Sequence, residues 1–137
     1  MSETKLTGHC YCGAISFEID GKSDWVGHCH CESCRRASGS VMTTFAGFKN
    51  EQVTFTGEQP SRFSPGNGVT RSFCGKCGSA VAYENAGELG EIHLHVGLFD
   101  DIDLLPAEDH SFRNEKASWL TADEDLPDSS WSNPSNV

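Results

Sequence analysis

Residues that build large apolar cores are scarce in this chain. Isoleucine, leucine, valine and phenylalanine together make up 27 of its 137 residues, just under the ~20% below which highly charged chains tend to lose order. Positive charge is short as well: ten lysines and arginines face twenty aspartates and glutamates, for a formal net charge of −10. Nucleic-acid binding rests on basic patches that neutralise phosphates, and an acidic surface repels a polyanion. No apolar run approaches the ~18–20 residues of a membrane span, and Met1 to Leu6 carries no apolar signal core. These absences predict a soluble, cytoplasmic protein with no nucleic-acid and no membrane partner. Helical periodicity is missing over any long stretch, and neither an internal repeat nor an interdomain linker is visible. The length suits one domain, predicted over residues 1–128, with 129–137 a poorly ordered polar tail.

What is present is alternation. From Ala14 to Asp20, Ile15, Phe17 and Ile19 fall on one face and Ser16, Glu18 and Asp20 on the other, the mark of a half-buried strand. Further strands are predicted at Trp25 to Cys31, Val41 to Phe48, Val53 to Thr56, Arg62 to Ser64, Val69 to Phe73, Ser79 to Glu84 and Glu91 to Phe99. A turn or short helical piece fits Ser33 to Ser38. In Pro65-Gly66-Asn67-Gly68 the Asn-Gly pair signals a hairpin turn with positive φ at both central positions. His93 and His95 alternate with Ile92, Leu94 and Val96, so both leave the strand on one face, which reads as solvated. The fold class is mainly β.

Seven cysteines stand in three tight groups: Cys10 and Cys12, then Cys29, Cys31 and Cys34, then Cys74 and Cys77. An odd count without a secretion signal argues against a disulfide framework. Short local spacings instead present pairs of thiolates to one metal ion, and zinc takes four in a tetrahedron. Cys74-Gly75-Lys76-Cys77-Gly78 reads as a metal-binding knuckle whose glycines permit positive φ. Cys10 and Cys12, with sulfurs on the same face of an extended segment, complete a four-cysteine set. Cys29, Cys31 and Cys34 remain, three ligands with an open position, as in catalytic zinc sites. Strand alternation turns His28 and His30 away from them, although His28 is the residue that could close the site. A structural zinc supplies roughly 10–16 kcal/mol in small modules, which would offset the thin core. Arg35 and Arg36 follow the third cysteine directly. They suit capture of an anionic substrate group, or equally pair with the abundant surface carboxylates.

The order CYCGAISFEI, CHCESCRRASGS, TRSFCGKCGSAVAY, then VGLFDD, Leu105-Pro106, Trp119-Leu120 and Asp125-Leu126-Pro127, resembles the glutathione-dependent formaldehyde-activating enzyme family over about residues 6–128. That resemblance implies a zinc-clamped β-tent fold of several coiled antiparallel sheets, shared with a small Rab GTPase chaperone. It implies two zinc ions: one structural, on Cys10, Cys12, Cys74 and Cys77, and one at the site associated with activity, on Cys29, Cys31 and Cys34. It further implies a carbon–sulfur lyase that joins a small thiol, glutathione in the named reaction, to formaldehyde. On that reading, Arg35 or Arg36 would hold a glutathione carboxylate. A non-catalytic zinc module that docks a protein is the competing reading. A chromatin role, as in an animal member of the family, is disfavoured by the acidity and the lack of a basic arm. The chain stops short of the founding enzyme's longer C-terminal region, so fold and zinc content are expected to transfer better than substrate.

Overall fold

The alternating run at Ile15–Ile19 folds as a strand with all three apolar residues buried, and the other alternating runs follow the same logic. The computed structural model describes residues 5–88 and 90–130. In chain order its strands are β1 Leu6–His9, β2 Ile15–Ile19, β3 Trp25–Cys29, β4 Thr43–Lys49, β5 Val53–Gly57, β6 Ser61–Phe63, β7 Val69–Phe73, β8 Ala80–Asn85, β9 Glu91–His95 and β10 Asp109–Ser111. A single α-helix among the described residues, α1 Glu32–Ser38, follows β3. The protein is mainly β, as its sequence pattern predicts.

Two sheets form. The smaller has the order β1-β2-β5, and the larger has β10-β3-β4-β9-β8-β7-β6. Pairings are antiparallel except β10, which lies parallel to β3. β1 and β10 are short and lack an apolar alternation, so the sequence pattern does not announce them. The run predicted to Phe99 leaves the sheet after His95, where Val96–Leu98 turns as a 3-10 segment.

The larger sheet is covered on both faces. Ala46 and Phe48 of β4, Ile92 and Leu94 of β9, and Val26 of β3 pack with Ile15, Phe17 and Ile19 of the small sheet in the main core. Phe45, Val69 and Tyr83 face the other way and pack with Cys31, Cys34 and Phe112. Phe17 sits at the centre of the main core, 1% exposed, with edge-on ring contacts to Phe99 at 5.0 Å and Phe55 at 6.2 Å.

Two turns differ from expectation. In the β6–β7 connection, Gly66 and Gly68 take positive φ and Asn67 does not. The Asn67 side chain instead accepts a hydrogen bond from the Val69 amide at 3.1 Å, an Asx turn. Cys10 to Gly13 is no extended segment either. It is a tight turn between β1 and β2, closed by the Gly13 amide on the Cys10 carbonyl at 3.0 Å. Of the predicted tail, Ser129 donates its amide to the His110 carbonyl at 2.7 Å, and residues 131–137 lie outside the described ones.

Truncating Phe17 to alanine removes a ring wedged between both sheets. The expected loss is about 3–5 kcal/mol of unfolding free energy, read as a lower urea midpoint with unchanged slope. An unaltered midpoint would mean that the small sheet does not rest on this ring.

Candidate metal centre and cavity

Cys10, Cys12, Cys74 and Cys77 converge, all four sulfurs lying within 4.8 Å of one another. Cys10 and Cys12 come from the β1–β2 turn and Cys74 and Cys77 from the β7–β8 turn, so the cluster ties the small sheet to the large one. The sulfurs of Cys10 and Cys12 are 3.7 Å apart, and those of Cys12 and Cys74 3.8 Å. A tetrahedron with sulfur ~2.3 Å from a central zinc has edges of about 3.8 Å, whereas a disulfide needs ~2.05 Å. The donor set therefore fits a metal and not a cross-link between sulfurs. Amides of Ile15, Lys76 and Cys77 point at these sulfurs at 3.4 Å. The last turn is possible because Gly78 adopts φ +82°, and its amide closes on the Cys74 carbonyl. Ser79, which the sequence did not single out, joins the two turns. Its hydroxyl accepts from the Tyr11 amide at 3.0 Å and lies 3.2 Å from the Cys77 sulfur. That hydroxyl and the Ser79 amide hold the Cys77 thiol down to about 5, so this ligand ionises readily.

Cys29, Cys31 and Cys34 form the second set, again within 4.8 Å. Cys29 ends β3, Cys31 caps α1 by accepting from the Cys34 amide at 3.2 Å, and Cys34 lies in the first turn of that helix. The Cys29 and Cys34 sulfurs are 3.6 Å apart. Among the described residues, no histidine, cysteine or carboxylate joins this set as a fourth ligand. Hydrogen bonds from Cys29 and Cys31 hold the Cys34 thiol far below its ordinary value, and Arg71 adds to the effect, donating from Nη2 at 3.6 Å. The Cys29 thiol is raised in turn, first by its hydrogen bonding with Cys31 and Cys34 and then by burial.

These three sulfurs open into a cavity of about 440 Å³, within the range of small-molecule sites. Its walls are largely aromatic: Trp25, Phe45, Tyr83 and Phe112, with polar groups from Asn67, Asn85, Glu88, His93 and Ser111. Phe112 reaches its place only through a left-handed backbone, φ 56°, a strained conformation of the kind found at binding sites. Trp25 lies across the sheet opposite Gly47, where any β-carbon would come within 2.3 Å of the indole. Tyr83 stacks on His93 with ring centres 5.3 Å apart, and the Arg71 guanidinium sits 5.0 Å above the Tyr83 ring.

The placement of the other candidates is mixed. His93 and His95 do not form a solvated face. The large sheet covers both its sides, so His93 is 3% exposed on the cavity wall, and His95 packs against Phe45 at 4.4 Å. Burial lowers His95 to about 4 and lowers His93 too, against the raising effect of Glu91. His28 is buried between Thr44, at 2.8 Å, and Asp123, at 2.6 Å, and stands apart from the sulfurs' ligand set. Arg36 pairs with Glu32 at 2.8 Å on the helix surface, and neither Arg35 nor Arg36 lines the cavity. The guanidinium beside the sulfurs belongs to Arg71, 37 residues from Cys34 in sequence. Only the β6–β7 hairpin signal could have hinted at it. Asp101 caps the 3-10 segment Ile102–Leu104, its carboxylate accepting from the Asp103 amide at 3.2 Å.

Taken together, the site is a β-rich scaffold carrying a four-sulfur cluster and a three-sulfur cluster, each of which could hold a metal ion, the second facing a cavity. The model of the glutathione-dependent formaldehyde-activating enzyme family matches residues 5–120, and the chain belongs to that family. A Halomonas elongata protein named "Putative glutathione-dependent formaldehyde-activating enzyme" is 25% identical over 127 residues, covering 84% of this chain and 79% of that one. An uncharacterized lyase of Schizosaccharomyces pombe is 24% identical over 96 residues, 70% of this chain and 69% of that one. A crystal structure of a Rhodobacter sphaeroides protein superposes with a TM-score of 0.58 at 16% identity, covering 90% of this chain and 99% of that one. The last likeness concerns the fold. Among the described residues no helix is long and apolar enough to cross a membrane.

Behind the three-cysteine cluster, His30 Nε2 lies 2.8 Å from His110 Nδ1, and His110 Nε2 lies 2.8 Å from the Asp123 carbonyl. Both rings neutral, each with its proton on Nε2, satisfy this chain. Burial first, and then His110, lower His30 to about 4, against ~6.5 in an unfolded chain. On acidification the unfolded chain binds the proton first. The stability owed to a neutral His30 is thus complete above ~6.5 and disappears as pH falls toward about 4. Urea midpoints taken at stepped pH should fall across that window more steeply for the native chain than for His30→Gln. Parallel slopes would remove His30 from the acid response.

Proposed function

We propose that the protein forms or cleaves an adduct between a small thiol and an aldehyde, with glutathione and formaldehyde as the pair to test first. The observation that carries this reading is the three-sulfur cluster, one donor short of a tetrahedron, at the base of an aromatic cavity. On this reading Cys10, Cys12, Cys74 and Cys77 hold a structural zinc, and Cys29, Cys31 and Cys34 hold a second at the reacting site. Zinc bound there would supply a coordination position that favours the ionised form of an incoming thiol.

The chain's own groups account for the rest. Trp25, Phe45, Tyr83 and Phe112 give the cavity apolar walls, beside which an electrostatic contact is stronger than in bulk water. The Arg71 guanidinium offsets the charge gathered at Cys34. In the forward reaction the substrate sulfur bonds to the aldehyde carbon, the C=O π pair moves onto oxygen, and that oxygen takes a proton. The reverse returns thiol and aldehyde. We assign Tyr83, on the cavity wall, to give the proton. Its hydroxyl accepts from Asn85 Nδ2 at 3.0 Å, which leaves its own hydrogen to donate, and burial raises its pKa so that it stays protonated. Arg36 is engaged by Glu32, so Arg35 is the helix arginine we assign to an outer carboxylate of a glutathione-sized substrate.

The docking-module alternative would be marked by a closed second metal site or by an exposed apolar patch. The second cluster contains three sulfurs and no fourth ligand among the described residues, which favours the enzyme reading.

Metal analysis and exchange spectroscopy with labelled formaldehyde and glutathione test the proposal together. Two zincs per chain are expected, with adduct exchange faster than in protein-free buffer. Cys34→Ser should keep its circular dichroism and one zinc while losing more than about 100-fold in exchange, beyond the ~10–100-fold typical of a lost outer-shell partner. Tyr83→Phe should lose about 100-fold in rate with little change in KM, and Arg35→Ala should raise the KM for glutathione. If exchange is no faster than in buffer with zinc-replete protein, for glutathione and for smaller thiols, the adduct chemistry is wrong.

A further inference from the structure

A third group of potential ligands lies on the same sheet face, distinct from both cysteine clusters. Glu91 and His93 are two apart on β9 and so project together, and Glu88 folds back from the preceding turn. Their ligand atoms fall within 4.8 Å of one another. His93 Nε2 is 2.9 Å from Glu91 Oε1 and 3.3 Å from Glu88 Oε2. Two ligands at ~2.1 Å from one ion and 90–110° apart stand about 3.0–3.4 Å from each other. The observed pair of distances is the edge pattern of such a set.

One imidazole nitrogen faces two carboxylate oxygens and can donate a single proton to them. Glu88 Oε2 is buried and accepts no hydrogen bond among the described residues, an arrangement that costs about 1–3 kcal/mol when left unmet. Burial, and next the charge of Glu91, raise the Glu88 carboxyl. The Trp25 indole N–H donates to Glu91 Oε1 at 2.9 Å, and an outer-shell donor of this kind orients a ligating carboxylate. Access exists from two sides. Glu88 and His93 line the main cavity, and Glu88 and Glu91 border a shallower depression of about 200 Å³ on its outer side.

We propose that Glu88, Glu91 and His93 bind a divalent cation on the cavity wall. Two carboxylates and one imidazole form an oxygen-rich, hard donor set, suited to Mn²⁺ or Mg²⁺ rather than to an ion that seeks thiolate. A cation there would bring positive charge to the wall of a cavity in an otherwise acidic protein, facing the space that a substrate enters.

The test is titration of Mn²⁺ into the protein with its thiolate-held metal retained, in buffer cleared of other divalent ions, following the free-ion paramagnetic resonance signal. The expected result is saturable uptake of one Mn²⁺ per chain. Glu88→Gln should weaken uptake by at least about tenfold while circular dichroism stays native, since Glu88 is only partly buried. Bound Mn²⁺ should raise the melting temperature of the native chain and leave that of Glu88→Gln unmoved. Cys34→Ser should take up Mn²⁺ as the native chain does. Absence of saturable uptake, uptake undiminished in Glu88→Gln, or uptake lost in Cys34→Ser would each overturn the proposal. No thiol or aldehyde enters the measurement, so its outcome is separate from that of the adduct chemistry.

Discussion

The joint made by Cys10, Cys12, Cys74 and Cys77 is the constraint on which the remaining structure depends. It fastens the three-stranded sheet to the turn between β7 and β8 of the seven-stranded one. The nearest sulfurs across it are 62 residues apart in sequence. A covalent link closing a loop of that length would take about 4 kcal/mol of entropy from the unfolded chain, and a four-ligand metal constrains more of the chain than one bond does. The main core on its own is modest, built from medium-sized side chains around Phe17, Phe48 and Leu94. On the proposed reading, with a zinc held by these four sulfurs, a sequence poor in aliphatic residues would have its strongest interaction where the two sheets must hold together.

Anchoring the sheets at that edge frees the far face of the large sheet from core duty. β4, β8 and β9 each send one set of side chains into the apolar core and the other into the cavity. Gly47 lets the Trp25 ring lie across the strands, and Tyr83, His93 and Arg71 stack in sequence along them. The cavity is closed from below by the C-terminal part of the chain. β10 pairs in parallel with β3, and its last residue, Ser111, and Phe112 directly after it enter the wall. His28, His30 and His110 stitch that segment to the sheet through Asp123. Histidines that flank the cysteines thus serve to position the wall, while the sulfurs keep an open side.

Features encoded locally were legible in the sequence. The grouping of seven cysteines into four and three follows from short spacings, and so does the knuckle at Gly78. Alternation located β2, β4 and β9 to within a few residues. What was hidden depends on residues far apart along the chain. The alternation at Ile92 to Val96 says that His93 and His95 share a face, but only the position of β9 inside a doubly covered sheet says that this face is not wet. Arg35 and Arg36 are next to the cysteines in sequence, whereas Arg71 is next to them in space because β7 and α1 meet across the cavity. Ser79 and His110 drew no special notice for the same reason: each acts on partners 68 and 80 residues away.

One ligand type serves two ends here, and the surroundings decide which. In the four-cysteine set, two opposed turns supply all the donors, and backbone amides cap the sulfurs, so there is nothing for a substrate to displace. In the three-cysteine set, one turn of chain supplies every donor. A strand end, a helix cap and the first helical turn cannot wrap an ion from all sides, and the missing side faces the cavity. The openness is thus a consequence of drawing three ligands from six consecutive residues. Sulfur donors also blunt the Lewis acidity of any ion they hold, so in the reaction we propose the polarisation of an aldehyde oxygen is assigned to another group on the wall. Tyr83, with its hydroxyl oriented by Asn85 and its ring held between Arg71 and His93, is the group so placed.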